Sequence, residues 1–282
     1  MINPHIPDWL RIALVILSVI PFIPQIHRIF WRKSTVGLSL GAVLCNLIVA
    51  TKQFAVLLFI FVNESSEGRT VYTDDPKTTG DWVNFTQAVA VWICFLIYTR
   101  RRTGIIVACI EFLSITTTPV LFDLIQWRIE PGWKVERRWP AALFFGFHSI
   151  FLPMISVVGI IAVFLQARHV RRPAGFPSAL SIPGLGLQAV VFSLVALSLI
   201  WRFPFPWDKV EVYPGFFRLL GLWYGFTGWV SADNWIFGLG QGVLLVLVWW
   251  RKEKADAENA AMFTGEEDET RPLLALEEDE AA

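Results

Sequence analysis

Residues 9–40 read WLRIALVILSVIPFIPQIHRIFWRKSTVGLSL, and their order decides the fold. From Trp9 to Phe30 the run is apolar on nearly every side and long enough to cross a bilayer, which takes about 20 residues. Near its end Pro24 lacks a backbone N–H and clashes with the preceding turn, so a kink is expected there. Gln25 follows, an amide that can satisfy the freed carbonyl or a partner helix. Three bases without an acid come next (Arg28, Arg32, Lys33), then Leu38-Ser39 and a second apolar run. No small-residue cleavage site follows a short apolar core, so the first run reads as a retained span and not as a removed leader.

Working outward, seven such runs appear, at roughly 9–30, 38–62, 82–99, 104–127, 141–167, 180–201 and 226–250. They are apolar all round, and the loops between them are short. Seven core helices of a soluble protein would show a polar face. Composition agrees: charged residues are only 17% of the chain, against about 25% in soluble domains. The formal net charge of zero hides a division. Residues 253–282 hold 11 acids and 2 bases, a charge of −9, which leaves +9 on the first 252 residues. No basic patch is dense enough for nucleic acid. Cys45, Cys94 and Cys109 all fall within spans, and no His stands at ligand spacing from a Cys or another His. No disulfide framework, metal site or cofactor is expected.

Acid-free basic clusters mark the cytosolic side, because translocating Lys and Arg is unfavourable. They are Arg28, Arg32 and Lys33; Arg100, Arg101 and Arg102; Arg168, Arg171 and Arg172; and, with no acid until Glu253, Arg251, Lys252 and Lys254. The N-terminus is then lumenal and the C-terminus cytosolic. Asn63-Glu64-Ser65, a glycosylation sequon, falls on the lumenal side.

The two ends of the body resemble each other. Leu38, Ser39 and Asn46 match Leu180, Ser181 and Gln188 at one shift of 142 residues. Gln25 pairs with Gln166, and Asn84 precedes Arg101 by the same interval as Asn234 precedes Arg251. Two triplets of spans are thus joined by a fourth span. This is an all-α membrane protein of seven transmembrane helices, in a 3+1+3 arrangement of two triple-helix bundles. The chain divides into a first repeat (1–102), a linker helix and lumenal loop (103–139), a degenerate second repeat (140–252) and a disordered acidic cytosolic tail (253–282).

On Pro24-Gln25 and the following Arg32-Lys33-Ser34-Thr35-Val36-Gly37-Leu38-Ser39, the chain resembles the PQ-loop repeat proteins. These include the lysosomal cystine transporter and the vacuolar exporters of cationic amino acids, and are distantly similar to the SWEET sugar transporters. In the second half Leu165 stands where the motif has proline. The resemblance implies a transporter that moves a small polar solute, most plausibly an amino acid, out of a vacuole- or lysosome-like compartment. It makes Pro24 and Gln25 a hinge, with Gln166 a weaker counterpart. It also makes Asn84 and Asn234 look like the paired asparagines of the SWEET-like cavity.

Other polar groups inside the spans extend this set. Asn46 and Gln188 are further candidates for solute contact, with interhelical hydrogen bonding as the plain alternative. Gln87 and Gln241 rank beside them. Trp235, next to Asn234, can stack on a solute. Ionisable groups in a membrane are costly and point to function. Asp233 is the candidate for proton coupling. Glu111 is a second, or else forms a buried ion pair with Lys52. Asp123 reads as solvated, and His148 as a packing histidine. In the tail, Glu269, Leu273 and Leu274 form an acidic dileucine signal of the kind read by clathrin-adaptor-type sorting machinery. No catalytic constellation appears, so an enzyme is not expected. The rival reading is a non-transporting seven-span receptor, nutrient sensor or cargo receptor that recruits cytosolic partners.

Overall fold

A computed structural model describes residues 6–32, 37–63, 77–99, 138–172, 180–202 and 215–280, with scattered positions between 107 and 125. Helix α1 (Asp8–Val19) passes through a 3-10 turn at Ile20–Phe22 into α2 (Ile23–Arg32). Then come α3 (Leu40–Asn63), α4 (Thr79–Thr99), α5 (Arg138–Arg171), α6 (Ile182–Arg202) and α7 (Phe216–Trp223). A π-turn at Tyr224–Gly228 leads into α8 (Trp229–Glu280). The described residues are helical and contain no strand. Six helical stretches among them are long and apolar enough to cross a membrane: Asp8–Trp31, Leu40–Phe59, Thr79–Tyr98, Met154–Arg171, Ile182–Arg202 and Trp229–Glu258. The described positions of the expected fourth span are helical, but most of that span lies outside the described residues.

The starts of the helices follow local chemistry. The Ser39 hydroxyl accepts from Ala42 N at 3.4 Å, and the Ser181 hydroxyl accepts from Gly184 N at 3.3 Å. The repeated Leu-Ser pair is therefore an N-cap at the start of both α3 and α6. Helix α4 begins three residues before the apolar run because Thr78 and Asp81 cap each other: Asp81 Oδ2 accepts from Thr78 N at 2.8 Å, and Thr78 Oγ1 accepts from Asp81 N at 3.3 Å. Span 1 breaks as its prolines require. The 3-10 turn lies just ahead of Pro24 and contains Pro21. Helix α5, with Leu165 at the matching place, runs through without a break.

Packing repeats between the two ends. In the first, α4 packs on both α1 and α3; in the second, α8 packs on both α5 and α6. Across the middle, α3 meets α5, while α1 and the 3-10 turn meet α6. Gln166, at the end of α5, accepts from Ser39 N at 2.9 Å and donates to Gly37 O at 2.6 Å. Arg28, near the end of α2, donates to Leu180 O at 2.6 Å. Each first helix thus holds the entry of the opposite second helix. Gly37 makes this turn at φ 96°, which favours glycine. Gln166→Leu removes two hydrogen bonds worth about 1 kcal/mol each. It should lower the unfolding midpoint of the purified protein, and an unchanged midpoint would show that this clasp contributes nothing.

One expectation is corrected. The acidic stretch after Lys252, expected to be disordered from its charge, continues α8 as helix to Glu280. It is rich in Ala and Glu, which are strong helix formers, and Lys254 and Glu258 stand one turn apart at 3.8 Å. Glu64, Ser65, Asp123, Cys109, Lys33, Arg100, Arg101 and Arg102 lie outside the described residues. So do the side chains of Arg32, Asn63, His148, Glu269, Leu273 and Leu274.

Candidate functional site

Three cavities follow one another between the two sets of helices and share walls. The central one, about 430 Å³ including its open mouth, is lined by Asn46, Gln53, Asp233 and Asn234 among apolar neighbours. Asn234 and Gln53 also line a second cavity, which ends at Asn84, Gln87 and Arg202. Asn46 also lines a third, which ends at Gln25, Gln166, Gln188 and Gln241. Asn84 and Asn234 therefore face one space, as their matched positions imply. Trp235 lines none of the three cavities, so the stacking role foreseen for it is not supported by its position.

At the Gln166 end the kinked segment is hydrogen-bonded to both halves. Tyr98 Oη donates to Gln25 Oε1 at 2.7 Å. Gln188 Nε2 reaches Pro21 O at 3.4 Å and, weakly, Gln25 Oε1 at 3.5 Å. Gln188 thus serves the kinked backbone, while Gln25 bonds to a partner helix, the second of the two tasks open to it. Between this end and the central cavity sit four phenylalanines. Phe22 meets Phe95 edge-on at 5.2 Å, and Phe237 lies 5.5 Å from Phe95 and 4.7 Å from Phe192. Phe95 and Phe237 line the cavities on both sides of this cluster. Phe22 belongs to the 3-10 turn itself.

Asp233, in the wall of the central cavity, is 4% exposed, and Lys52, which lines none of the three cavities, 1%. Asp233 Oδ1 accepts from Ser156 Oγ at 2.5 Å, and Ser156 Oγ lies 2.6 Å from Tyr224 Oη. Asp233 Oδ2 is buried without a hydrogen-bond partner. Lys52 is within electrostatic reach of Asp233. Glu111 is exposed, so the buried ion pair foreseen between it and Lys52 is not the arrangement found. Exposure also removes the reason to give Glu111 a part in proton coupling through the cavity.

A family model for the PQ-loop repeat matches residues 6–65. Over this stretch, less than a quarter of its length, the chain is similar to the PQ-loop repeat. The matched stretch covers α1, the 3-10 turn, α2 and α3, the elements that hold the kink and its Gln25. No curated protein matches the chain, and no solved structure does.

Several residues around these cavities escaped the sequence reading. In sequence Arg202 looks like an ordinary flanking base, and Gln53, Tyr98 and Ser156 like incidental polar residues. The phenylalanines carried no signal, since a Phe facing a cavity and one facing lipid look alike in an apolar run.

Proposed function

We propose that this PQ-loop membrane protein is a carrier, not an enzyme, that moves a small polar solute, most plausibly an amino acid, out of a vacuole- or lysosome-like compartment. Its seven spans would stand in a 3+1+3 arrangement, N-terminus lumenal and C-terminus cytosolic. The observation that carries this reading is the chain of shared cavities, with amides from both repeats and an aromatic plug partway along. Amide side chains suit a polar solute because each offers two donors and an acceptor. Rocking of one three-helix set against the other would open the plug at the Pro24 kink. Asp233 is the group placed for proton coupling, since it lines the cavity and keeps one oxygen unpaired. The compartment rests on the resemblance and on the Glu269, Leu273 and Leu274 signal, which an adaptor partner would read.

The test is an uptake screen of radiolabelled amino acids in proteoliposomes. Wild type should accumulate at least one solute, and Asn234→Ala should lower its uptake about tenfold, the loss that follows from about 1.4 kcal/mol of contact. Absence of uptake for every solute under every gradient would remove the carrier reading.

A further inference from the structure

Arg202 closes one end of the cavity chain with a guanidinium that is only partly used. Its Nη1 donates to Asn84 Oδ1 at 2.7 Å and Gln87 Oε1 at 3.3 Å, both neutral acceptors. Gln87 is held in place in turn, since its Nε2 donates to Ser18 Oγ at 2.8 Å. Arg202 Nε and Nη2 are buried and have no hydrogen-bond partner. Those two N–H groups lie on one edge of the planar guanidinium, parallel and spaced for the two oxygens of a carboxylate. Leaving them unmet is unfavourable until a ligand arrives.

Nothing in the cavity cancels the charge. Its polar lining is Gln53, Asn84, Gln87, Arg202 and Asn234, with no carboxylate among them. The neighbouring charge is another cation, Arg11, near enough for the two to repel. Arg11 Nε is likewise buried and unpartnered, and its guanidinium packs over Gly80, where the Asp8 carboxylate also approaches. Two close cations beside a cavity whose lining holds no carboxylate favour an anion there. Farther along the same cavity chain, Asp233 Oδ2 offers the opposite charge.

We infer that the Nε–Nη2 edge of Arg202 is a carboxylate subsite, so that the solute bears a free carboxylate. The inference rests on the carrier reading only in calling that ligand the transported solute. The test uses the full chain, purified in detergent, and reads binding as a shift in the unfolding midpoint. The probes are amino acids, each paired with its own carboxamide, together with inorganic phosphate.

At least one acid should bind about tenfold or more tightly than its amide, the discrimination expected of a bidentate site. Arg202→Lys, which keeps the charge and loses the fork, should weaken that acid about tenfold, and Arg202→Gln should abolish its binding. Equal binding of acid and amide would overturn the subsite. So would an acid bound as well by Arg202→Gln as by wild type, absence of acid binding altogether, or binding of phosphate alone. The acid–amide comparison needs only wild type, so a variant that fails to fold leaves the test intact. Acid-selective binding without flux would sink the carrier reading and keep the subsite. Flux without acid selectivity would do the reverse.

Discussion

Gly238→Leu is expected to remove most of the folded protein. Gly238 lies where α8 packs on α6, the most extensive helix pairing among the described residues. A Cβ added there would stand 2.9 Å from Ser193 Oγ, 3.0 Å from Ser193 N and 3.3 Å from Ala189 O. Two of those three atoms are backbone and cannot swing aside. Membrane helices depend on such close approach, because lipid supplies no hydrophobic force to drive them together. Overpacking a core typically costs about 1–3 kcal/mol, and four heavy side-chain atoms wedged between backbones belong at the upper end or beyond. Separating α6 from α8 also threatens the bond from Ser231 Oγ to Ala196 O, 2.8 Å long. The readout is the monodisperse fraction in gel filtration, with Gly238→Ala intermediate. Gly221, in α7, has nothing within 4 Å of an added Cβ, and Gly221→Ala should leave that fraction unchanged. If Gly238→Leu behaves like Gly221→Ala, the α6–α8 packing is wrong.

Asp233→Leu should be nearly as damaging, for an electrostatic reason. Asp233 and Lys52 are buried within reach of each other's charge. Removing one of two buried opposite charges typically costs about 3–5 kcal/mol, because the other stays desolvated. Lys52 keeps further contacts, which places the expected loss at the lower end. The substitution also takes the acceptor from Ser156. Adding Lys52→Met to Asp233→Leu should recover part of the loss in unfolding midpoint, whereas strictly additive losses would mean that the two charges do not interact. Asp233→Asn keeps the shape and is the variant in which coupling can be read. It should retain solute exchange and lose its response to a pH gradient, and an undiminished response would take Asp233 out of any coupling role.

Much of this was legible in the sequence, and the rest was not for definable reasons. Apolar runs of membrane length placed the described spans within a few residues. The exceptions are ends set by caps, as at Thr78, or by helix propensity that outlasts the apolar run, as beyond Lys252. Asn46, Asn84, Gln188, Asp233 and Asn234 stood out because a polar group in an apolar helix needs a reason, and all five line the cavities. Glu111 stood out by the same rule and lies exposed, since the rule identifies an unusual residue without saying which way it faces. Arg202 was missed because a base at the end of a span is the ordinary way to anchor a helix. Only the packing of α6 against α1, on which α4 also packs, turns it toward Asn84. Trp235 was carried along by its neighbour Asn234, yet adjacent helical residues point about 100° apart.

The central claim is that solute passes through the cavities by movement of the two repeats, and counterflow tests it most directly. Proteoliposomes holding the full chain are loaded with an unlabelled amino acid and diluted into a trace of the same compound, labelled. The account predicts transient accumulation of label above equilibrium, abolished when the interior is empty of solute. Saturable binding of the amino acid with no such overshoot would contradict it and leave a receptor or sensor in its place.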